Sequence, residues 1–506
     1  MKKYILLSGL LVTGTMAFAQ AEFDALKYSL TDISGTARYV SMSGAFGALG
    51  GDMSTLGMNP AGIAVFRSSE LSITPSMSST SSQSIFNGYE SGGNKLNLLI
   101  DNFGYVGSFR TYDESEISNF NFGIAYNKVK DFNRDFSVKG ENRTSSLLDR
   151  IVADQNDKGG TEAALKNLAS YAYEAYLINT NATTNKYESL LGVGDLVNNS
   201  MYMMESGGVN EWNLSLGANY GHVVYVGMSL GIQSINYELN SNYKEDSEGT
   251  AQNDPIGFEL KNVLTTQGSG VNVKLGVIVR PVPDLRLGFA FHSSTYYLMT
   301  DVFNASISSY GMELDGEPLT PYYKEPEDGS ADYQFKTPSR LLYSVAYQVG
   351  QKGFLSLDWD VVDYREINLK DADGFPYDDT NSYIYQDFRV ASNLRLGGEY
   401  RLSDNISLRG GAAWYQSPVK ATVEQNNFMI VTAGTTPQYG IEKDTYYLSC
   451  GLGYRTGGFF MDAALQRQFH NENFYNFYDD TANADPKYAD LKTTKTNLVL
   501  TAGFKF

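Results

Sequence analysis

The sequence predicts an all-β fold: a transmembrane antiparallel β-barrel of about 14 strands with an N-terminal hatch (plug) segment inside its lumen. Three observations predict it: a secretory signal at the start, alternation of apolar and polar side chains through most of the chain, and a regular succession of short turns and long polar segments. Such a multi-pass barrel is expected in the outer membrane of a Gram-negative bacterium. An even strand number would place both termini in the periplasm.

Residues 1–19 have the pattern of a secretory signal peptide. Two lysines follow Met1, an apolar stretch covers Tyr4–Val12, and Ala17-Phe18-Ala19 forms a cleavage site of the small-x-small type. The apolar stretch is shorter than the ~20 residues that a membrane helix needs, and no later segment supplies them. The only cysteine, Cys450, lies far from the cleavage site, so we expect neither a lipid anchor nor a disulfide.

Residues 20–68 precede the first predicted strand and form the predicted hatch. Seven glycines fall between Gly35 and Gly62 among small and apolar residues, which favours a compact, tightly turned segment enclosed by the barrel. The segment ends in Asn59-Pro60-Ala61-Gly62 and, four residues later, Phe66. These five residues are the predicted hatch and ligand-channel residues.

Residues 69–506 form the predicted barrel, in which very short turns alternate with long polar connections. The predicted short turns are Tyr220–His222, Pro281–Asp284, Gly350–Gly353, Ser403–Asn405 and Thr456–Gly458. The longest connection, residues 141–208, carries a helical pattern from Ser145 to Ile178 and is predicted to be a partly helical extracellular loop. Met201-Tyr202-Met203-Met204 near its end fits either an adaptable apolar site or packing within the loop.

The predicted strands place charged residues on one face and apolar residues on the other. Leu287, Phe289 and Phe291 alternate with Arg286 and His292, for example. An arginine on the lipid face costs about 2–4 kcal/mol near the bilayer midplane, so the charged face is predicted to line the lumen. The last strand ends in Phe504 and Phe506, which we interpret as the outer-membrane insertion signal read by the barrel-assembly machinery.

The composition agrees with this fold and excludes some functions. The chain contains 37 tyrosines and 27 phenylalanines, which suit the aromatic girdles of a membrane barrel. Its formal charge of −18 argues against a nucleic-acid partner, whose phosphates require basic surfaces. Outer-membrane lipid is the expected surrounding partner.

Several segments resemble one transporter family. Asn59-Pro60-Ala61-Gly62 with Phe66 is similar to the hatch motif of the FadL/OmpP1/TodX transporters of long-chain fatty acids and aromatic hydrocarbons. Further short similarities follow in order to the last strand, in residues 337–364, 394–418 and 448–462. The resemblance implies a monomeric, fourteen-stranded barrel that takes up a hydrophobic small molecule passively, without a cofactor or metal.

The resemblance also implies a route. In the family, ligand is captured between extracellular loops, moves to a pocket beside the hatch and leaves sideways where the third strand kinks inward. Residues 120–139 contain Gly123 but no proline, so the kink does not map clearly onto this sequence. The carboxylate of a fatty acid requires a cationic partner in the lumen, and Arg286, Arg395 and Arg409 are the candidates. Alternatively, these arginines pair with lumenal carboxylates and brace the wall.

Other functions remain open on the sequence. A tyrosine-rich barrel also suits a receptor for haem (hemin), ligated by histidine or tyrosine. A plugged structural or adhesive barrel without any transport role is a second alternative. An enzyme is not expected, because His222 and His470 fall toward opposite ends of the predicted barrel and His292 stands apart from both.

Overall fold

A computed structural model describes residues 22–111, 116–142, 145–157, 163–191, 196–247, 256–314, 317–325, 328–423, 436–477 and 487–506. The predicted signal peptide, residues 1–19, lies outside these ranges. The strands form one antiparallel sheet that closes on itself, because the first strand pairs with the last over residues 70–85 and 490–505. The predicted fourteen-stranded barrel is confirmed.

Ten of the barrel strands are continuous. They are β1 (Glu70–Phe86), β2 (Tyr89–Arg110), β7 (Val197–Tyr220), β8 (Val224–Ser247), β9 (Gly257–Val282), β19 (Val390–Arg401), β20 (Ile406–Tyr415), β21 (Tyr439–Thr456), β22 (Phe459–Tyr475) and β23 (Ala489–Lys505). Four more are interrupted, and each consists of two segments: β3 (Ile117–Asp131) with β4 (Arg134–Asn142), β10 (Leu285–His292) with β11 (Tyr296–Tyr310), β15 (Gly329–Lys336) with β16 (Arg340–Val349), and β17 (Gly353–Asp363) with β18 (Asn368–Asp371).

The connections differ in length at the two ends of the barrel, as predicted. Gly221 and His222 have φ values of 58° and 56°, which allow the tight turn between β7 and β8. The opposite end carries the long connections and the small strands β5 (Ile178–Asn181), β6 (Lys186–Ser189), β12 (Met312–Leu314), β13 (Glu317–Leu319) and β14 (Tyr322–Lys324). We call these the short-turn end and the long-loop end. One long-loop connection is tight: Asn87-Gly88 joins β1 to β2, with both φ values positive.

The connection predicted over residues 141–208 is shorter than expected. β4 continues to Asn142 and β7 begins at Val197, so the methionine cluster lies on a strand and not in a loop. Met201 and Met203 face inward and are buried in the apolar cluster inside the barrel. The connection contains two helices, α4 (Leu147–Asp157) and α5 (Ala163–Glu174). Another long-loop connection carries α6 (Asp378–Asp387).

Outward-facing side chains are apolar across the middle of the barrel. Leu287, Phe289 and Phe291 are exposed on β10, while Asp358 on β17 and Arg395 on β19 are buried. The terminal Phe504 and Phe506 are also exposed, with their rings stacked 6.3 Å apart. Among the described residues, no helix combines the length and apolarity needed to cross a membrane.

Residues 22–66, which we call the inner segment, lie inside the barrel. They form α1 (Glu22–Ser29), α2 (Ala37–Ser41), α3 (Thr55–Met58) and a 3-10 helix (Pro60–Val65). Hydrogen bonds hold this segment to strands on every side of the barrel. They include Ala37 N–H to Thr501 Oγ1 (2.7 Å), Phe46 N–H to Asp358 Oδ2 (2.9 Å), Arg286 Nη1 to the Leu49 carbonyl (2.6 Å) and Arg340 Nη2 to the Ser29 carbonyl (2.8 Å).

Candidate functional site: the lumen beside the inner segment

The inner segment fills the short-turn end of the lumen with its 3-10 helix. Asn59 is fully buried and caps this helix: its Oδ1 accepts the Ala61 N–H at 3.1 Å, and its Nδ2 donates to the Gly47 carbonyl at 2.6 Å. Pro60 occupies the first helical position, where its missing N–H costs nothing. The sequence Asn-Pro-Ala-Gly therefore encodes a capped turn and not a chemically reactive site.

The wall is shaped to receive this turn. Gly227 on β8 faces the Pro60 carbonyl, and Gly276 on β9 faces Asn59, each so closely that a Cβ atom would overlap the inner segment. Gly62 leaves no room for a Cβ beside Thr55. Phe66 is buried, and its carbonyl accepts hydrogen bonds from Asn121 Nδ2 (3.0 Å) and Ser108 Oγ (3.2 Å). The five predicted hatch residues thus lie together against β2, β3, β8 and β9.

The three candidate arginines have different surroundings. Arg409 pairs with Glu399 (2.7 Å) and Asp462 (2.6 Å). Arg395 pairs with Asp360 (3.2 Å) and donates to the Tyr415 hydroxyl (2.9 Å). Arg286 binds only a backbone carbonyl of the inner segment, and no ion pair to it occurs among the described residues. The wall-bracing alternative therefore describes Arg395 and Arg409, and Arg286 retains unsatisfied positive charge.

A polar cavity of about 140 Å³ lies beside the inner segment in the middle of the lumen. It is lined by residues of the inner segment and of the wall, among them Asp32, Tyr39, Lys274, His292 and Arg395. Binding sites for drug-sized molecules usually measure about 300–1,000 Å³. This cavity is therefore too small for a long-chain ligand while the inner segment holds its present position.

The wall is interrupted at the third strand, where β3 ends at Asp131 and β4 begins at Arg134. The Asp131 carboxylate accepts the Asn133 backbone N–H at 3.3 Å, a local bond that competes with the strand ladder. Opposite the break, Gly207 on β7 has a φ of 100°, and its carbonyl accepts the Phe132 N–H at 3.1 Å. A turn at residues 131–133, opposite a glycine with positive φ, thus interrupts the strand without a proline.

Beyond the break, β4 runs inside the β1–β2 hairpin and not alongside it. The Ser137 carbonyl accepts from Ser84 Oγ (2.6 Å) on β1 and from Ser91 Oγ (2.7 Å) on β2. β2 pairs with β3 only over residues 102–110, so residues 89–101 of β2 have no ladder partner on that side among the described residues. The backbone ladder of the wall is therefore interrupted between β2 and the β3–β4 strand, and we call this interruption the gap.

An aromatic cluster connects the inner segment to this gap. The ring of Tyr28, on α1, lies 6.0 Å from that of Phe132 and 5.8 Å from that of Tyr237. The Tyr28 ring also contacts the Phe335 ring edge to face, with 6.4 Å between the ring centres. Phe335 in turn stacks on Tyr297 at 5.6 Å. All five rings are buried. Edge-to-face contacts at these distances provide a continuous apolar environment from the centre of the lumen to the break in β3.

Charged residues surround a second cavity, of about 80 Å³, on the other side of Phe132. Asp32 lines both cavities. Nearby, Arg134 binds Glu472 at 2.7 Å and also pairs with Glu205, while His470 Nε2 contacts Glu442 at 2.7 Å. His470, Glu442 and Glu472 thus belong to one ion-pair network, which also includes Arg134 next to the break.

The family model for outer membrane protein transport proteins (OMPP1/FadL/TodX) matches residues 209–506, more than half of the chain. The chain belongs to this family. A Pseudomonas aeruginosa FadL homologue superimposes with a TM-score of 0.54 at 14% identity, covering 94% of this chain and 100% of that one. The Pseudomonas putida toluene transporter TodX gives 0.50 at 12% identity, covering 94% and 100%. At such identities the structural likeness shows the fold alone. A sequence comparison with curated proteins gives no significant match.

Membership of the OMPP1/FadL/TodX family makes this chain an outer-membrane barrel of a family that transports hydrophobic compounds. Three features of this FadL-family chain were not predicted from its sequence. They are the break in β3, the Tyr28 cluster and the tight turn between β1 and β2. Asn87-Gly88 is a strong hairpin signal that could have placed the turn between β1 and β2. Asp131-Phe132-Asn133 is a weaker signal for the break, and nothing in the local sequence indicates which rings meet Tyr28.

Proposed function

We propose that this FadL-family protein is a passive channel through which hydrophobic small molecules, such as long-chain fatty acids or aromatic hydrocarbons, cross the outer membrane. Ligand is captured among the extracellular loops, passes beside the inner segment, which acts as a hatch, and leaves sideways into the membrane at the break in β3. One observation carries the proposal: Phe132, the residue at the break, packs against Tyr28 of the inner segment. The same contact thus joins the apolar lumen to the gap in the wall.

The volumes of the two lumenal cavities support a hatch that moves. Cavities of about 140 and 80 Å³ cannot hold a fatty acid, whereas the Tyr28 cluster occupies an apolar volume between them. Displacement of α1 removes Tyr28 from that cluster and leaves Phe132, Tyr237, Tyr297 and Phe335 as an aromatic lining. A ligand that binds this lining more tightly than the closed state shifts the equilibrium toward it.

The surface outside the gap supports lateral exit. On β2, Leu96, Leu98 and Ile100 face outward, and Leu98 is 80% exposed. An apolar molecule emerging beside these residues enters lipid directly and never has to enter water, so the route follows the gradient of solvation free energy. Charged residues line the second cavity next to the gap, and they would hold the carboxylate end of a fatty acid during passage.

Arg286 is the best-placed of the three candidate carboxylate partners. It alone lacks a described acidic partner, and its contact with the Leu49 carbonyl is lost when the inner segment moves. Arg395 and Arg409 would have to give up existing ion pairs to bind the ligand, so their net binding free energy for a carboxylate is smaller than that of Arg286. We further propose that the protein acts as a monomer with both termini in the periplasm, after signal cleavage and insertion by the barrel-assembly machinery.

Uptake of labelled oleate tests the proposal in cells that carry the wild-type gene, no gene, or the Asn59→Ala variant. Asn59 holds the 3-10 helix through two hydrogen bonds, so its loss is expected to change uptake relative to wild type. Uptake should fall in cells without the gene. Equal uptake in all three strains would instead favour the plugged structural barrel. Haem binding is checked on the same preparations by a Soret absorbance band after incubation with hemin.

A further inference from the structure

The outer wall of the barrel carries a groove away from the break in β3. It has a volume of about 830 Å³, and its lining includes Ile232, Val271, Tyr296 and Leu298 from the outward faces of three neighbouring strands. Tyr296 and Leu298 are 63% and 68% exposed. Residues 365–368 and α6, through Asn381 and Tyr385, form its opposite border. The groove is therefore open to the surroundings of the barrel, and Tyr297 and Phe335 of the aromatic cluster form part of its floor.

The strand register places this groove at the edge of the apolar belt. Trp212, Ile232, Val271 and Tyr296 are successive register partners on β7, β8, β9 and β11. The next outward row toward the long-loop end is mostly polar, with Asn210, Ser234, Ser269 and Gln334 beside the apolar Leu298. Apolar residues thus give way to polar ones within the groove, as they must where acyl chains meet headgroups.

Two lysines border the groove, Lys336 in the row of Tyr296 and Lys370 in the next row toward the long-loop end. Lys336 on β15 is the register partner of Tyr296, and Lys370 on β18 is the partner of Gln334. The two lysines are diagonal neighbours on adjacent strands, a relationship that places side chains about 7–8 Å apart. Neither forms an ion pair with another described residue. Arg365 and Glu366 also line the groove, but Asp363 pairs with Arg365 at 2.7 Å, and the Glu366 carboxylate accepts hydrogen bonds from the Ser339 N–H and hydroxyl.

We infer that the groove binds an anionic glycolipid of the outer leaflet, with a phosphate group between Lys336 and Lys370 and an acyl chain along Ile232, Val271 and Tyr296. The inference rests on the proposed orientation, in which the long-loop end faces outward. Two unpaired cations in a chain of net charge −18 match the charge of a lipid phosphate, and the apolar rows match its chains. The lysines thus lie at the membrane depth of the lipid phosphate, and the apolar residues lie at the depth of the acyl chains.

Binding of fluorescent bisphosphorylated lipid A to the purified protein in detergent tests this inference. The double variant Lys336→Gln/Lys370→Gln is expected to bind at least tenfold more weakly than wild type. The matched control Lys244→Gln/Lys261→Gln removes two exposed lysines that share Glu259 instead, and its affinity should not change. The heat-dependent gel mobility of each variant verifies that the barrel is folded.

Three results would overturn the inference: wild-type affinity in the groove variant, equal binding of dephosphorylated lipid A, or displacement of the lipid by inorganic phosphate or by oleate at equimolar concentration. The last outcome would assign the groove to free anions or to the transported compound. Oleate uptake by the groove variant is expected to equal that of wild type. A failure of lipid binding therefore leaves the proposed transport function standing, and a failure of transport leaves lipid binding standing.

Discussion

The carboxylate of Asp32 accepts a hydrogen bond from the Lys130 ammonium at 2.9 Å, and this pair ties the inner segment to β3 just before its break. Two further bonds reinforce it: Asp32 N–H donates to the Val129 carbonyl at 2.8 Å, and Asp131 N–H donates to the Asp32 carboxylate at 3.2 Å. The position of the inner segment is therefore mechanically linked to the edge of the gap in the wall.

Replacing Asp32 with asparagine should loosen this link. The substitution leaves the Lys130 ammonium largely buried without its carboxylate, a change that costs about 3 kcal/mol in comparable pairs. We expect faster entry of the hydrophobic dye N-phenyl-1-naphthylamine into cells. Asp363→Asn is the control, since it breaks the pair with Arg365 at 2.7 Å, which involves neither the inner segment nor the gap. Equal dye entry in both variants would contradict the link.

Gly227→Ala should displace the hatch turn directly. A methyl group at this position overlaps the Pro60 carbonyl, which is backbone and cannot turn away. Gly410 serves as the matched control, because a Cβ there meets nothing nearer than the Ser449 carbonyl at 3.8 Å. We predict that Gly227→Ala increases protease cleavage within residues 22–66 in purified protein. Gly410→Ala should retain the wild-type pattern. Identical patterns would show that the wall does not hold the turn.

A cysteine at Asn97 tests the lateral gap, in a background where Cys450 is changed to serine. Asn97 lies on the stretch of β2 that lacks a partner on the β3 side. Labelling it with a bulky maleimide is expected to reduce oleate uptake at least several-fold. Gln466→Cys is the control, since Gln466 and Asn97 belong to one register row across β1 and β23 but only Asn97 borders the gap. Equal inhibition at both positions would indicate general obstruction of the lumen.

The docking of α1 at the long-loop end should depend on pH. Burial and the adjacent Asp387 carboxyl raise the pKa of Glu22 above its ordinary value, and burial raises the pKa of Asp387 from 3.8 to about 6. The docked state binds protons more tightly than the undocked state. Docking is therefore strongest below about pH 4 and weakens by about 1–3 kcal/mol as pH rises to about 6.

Hydrogen exchange of residues 22–29, corrected for the intrinsic pH dependence of exchange, measures this effect. Protection should decrease as the pH rises from about 4 through about 6. Asp387→Asn is expected to reduce the decrease and to increase protection at pH 7, because an amide can hydrogen-bond Glu22 without repelling its charge, while burial of Glu22 remains. A wild-type profile that is flat over this range would contradict the coupling of the two carboxyls.

The sequence alone determined the barrel, its strand number and the direction in which its side chains face. These features follow from local rules: lipid on one side of each strand forces alternation with a period of two, and turn residues such as Gly221 mark the short-turn end. The capped turn at Asn59-Pro60 is equally local, since its hydrogen bonds join residues a few positions apart along the chain or within one segment.

Only the tertiary structure decided which residues meet inside the barrel. The contact of Tyr28 with Phe132, the pair between Asp32 and Lys130, and the engagement of Arg409 by Glu399 and Asp462 join residues far apart in sequence. Their proximity depends on the closure of the sheet, on its register and on the path of residues 22–66 through the lumen. Hydrophobic periodicity fixes which face of a strand a residue occupies, but it does not specify the residue it meets across the lumen.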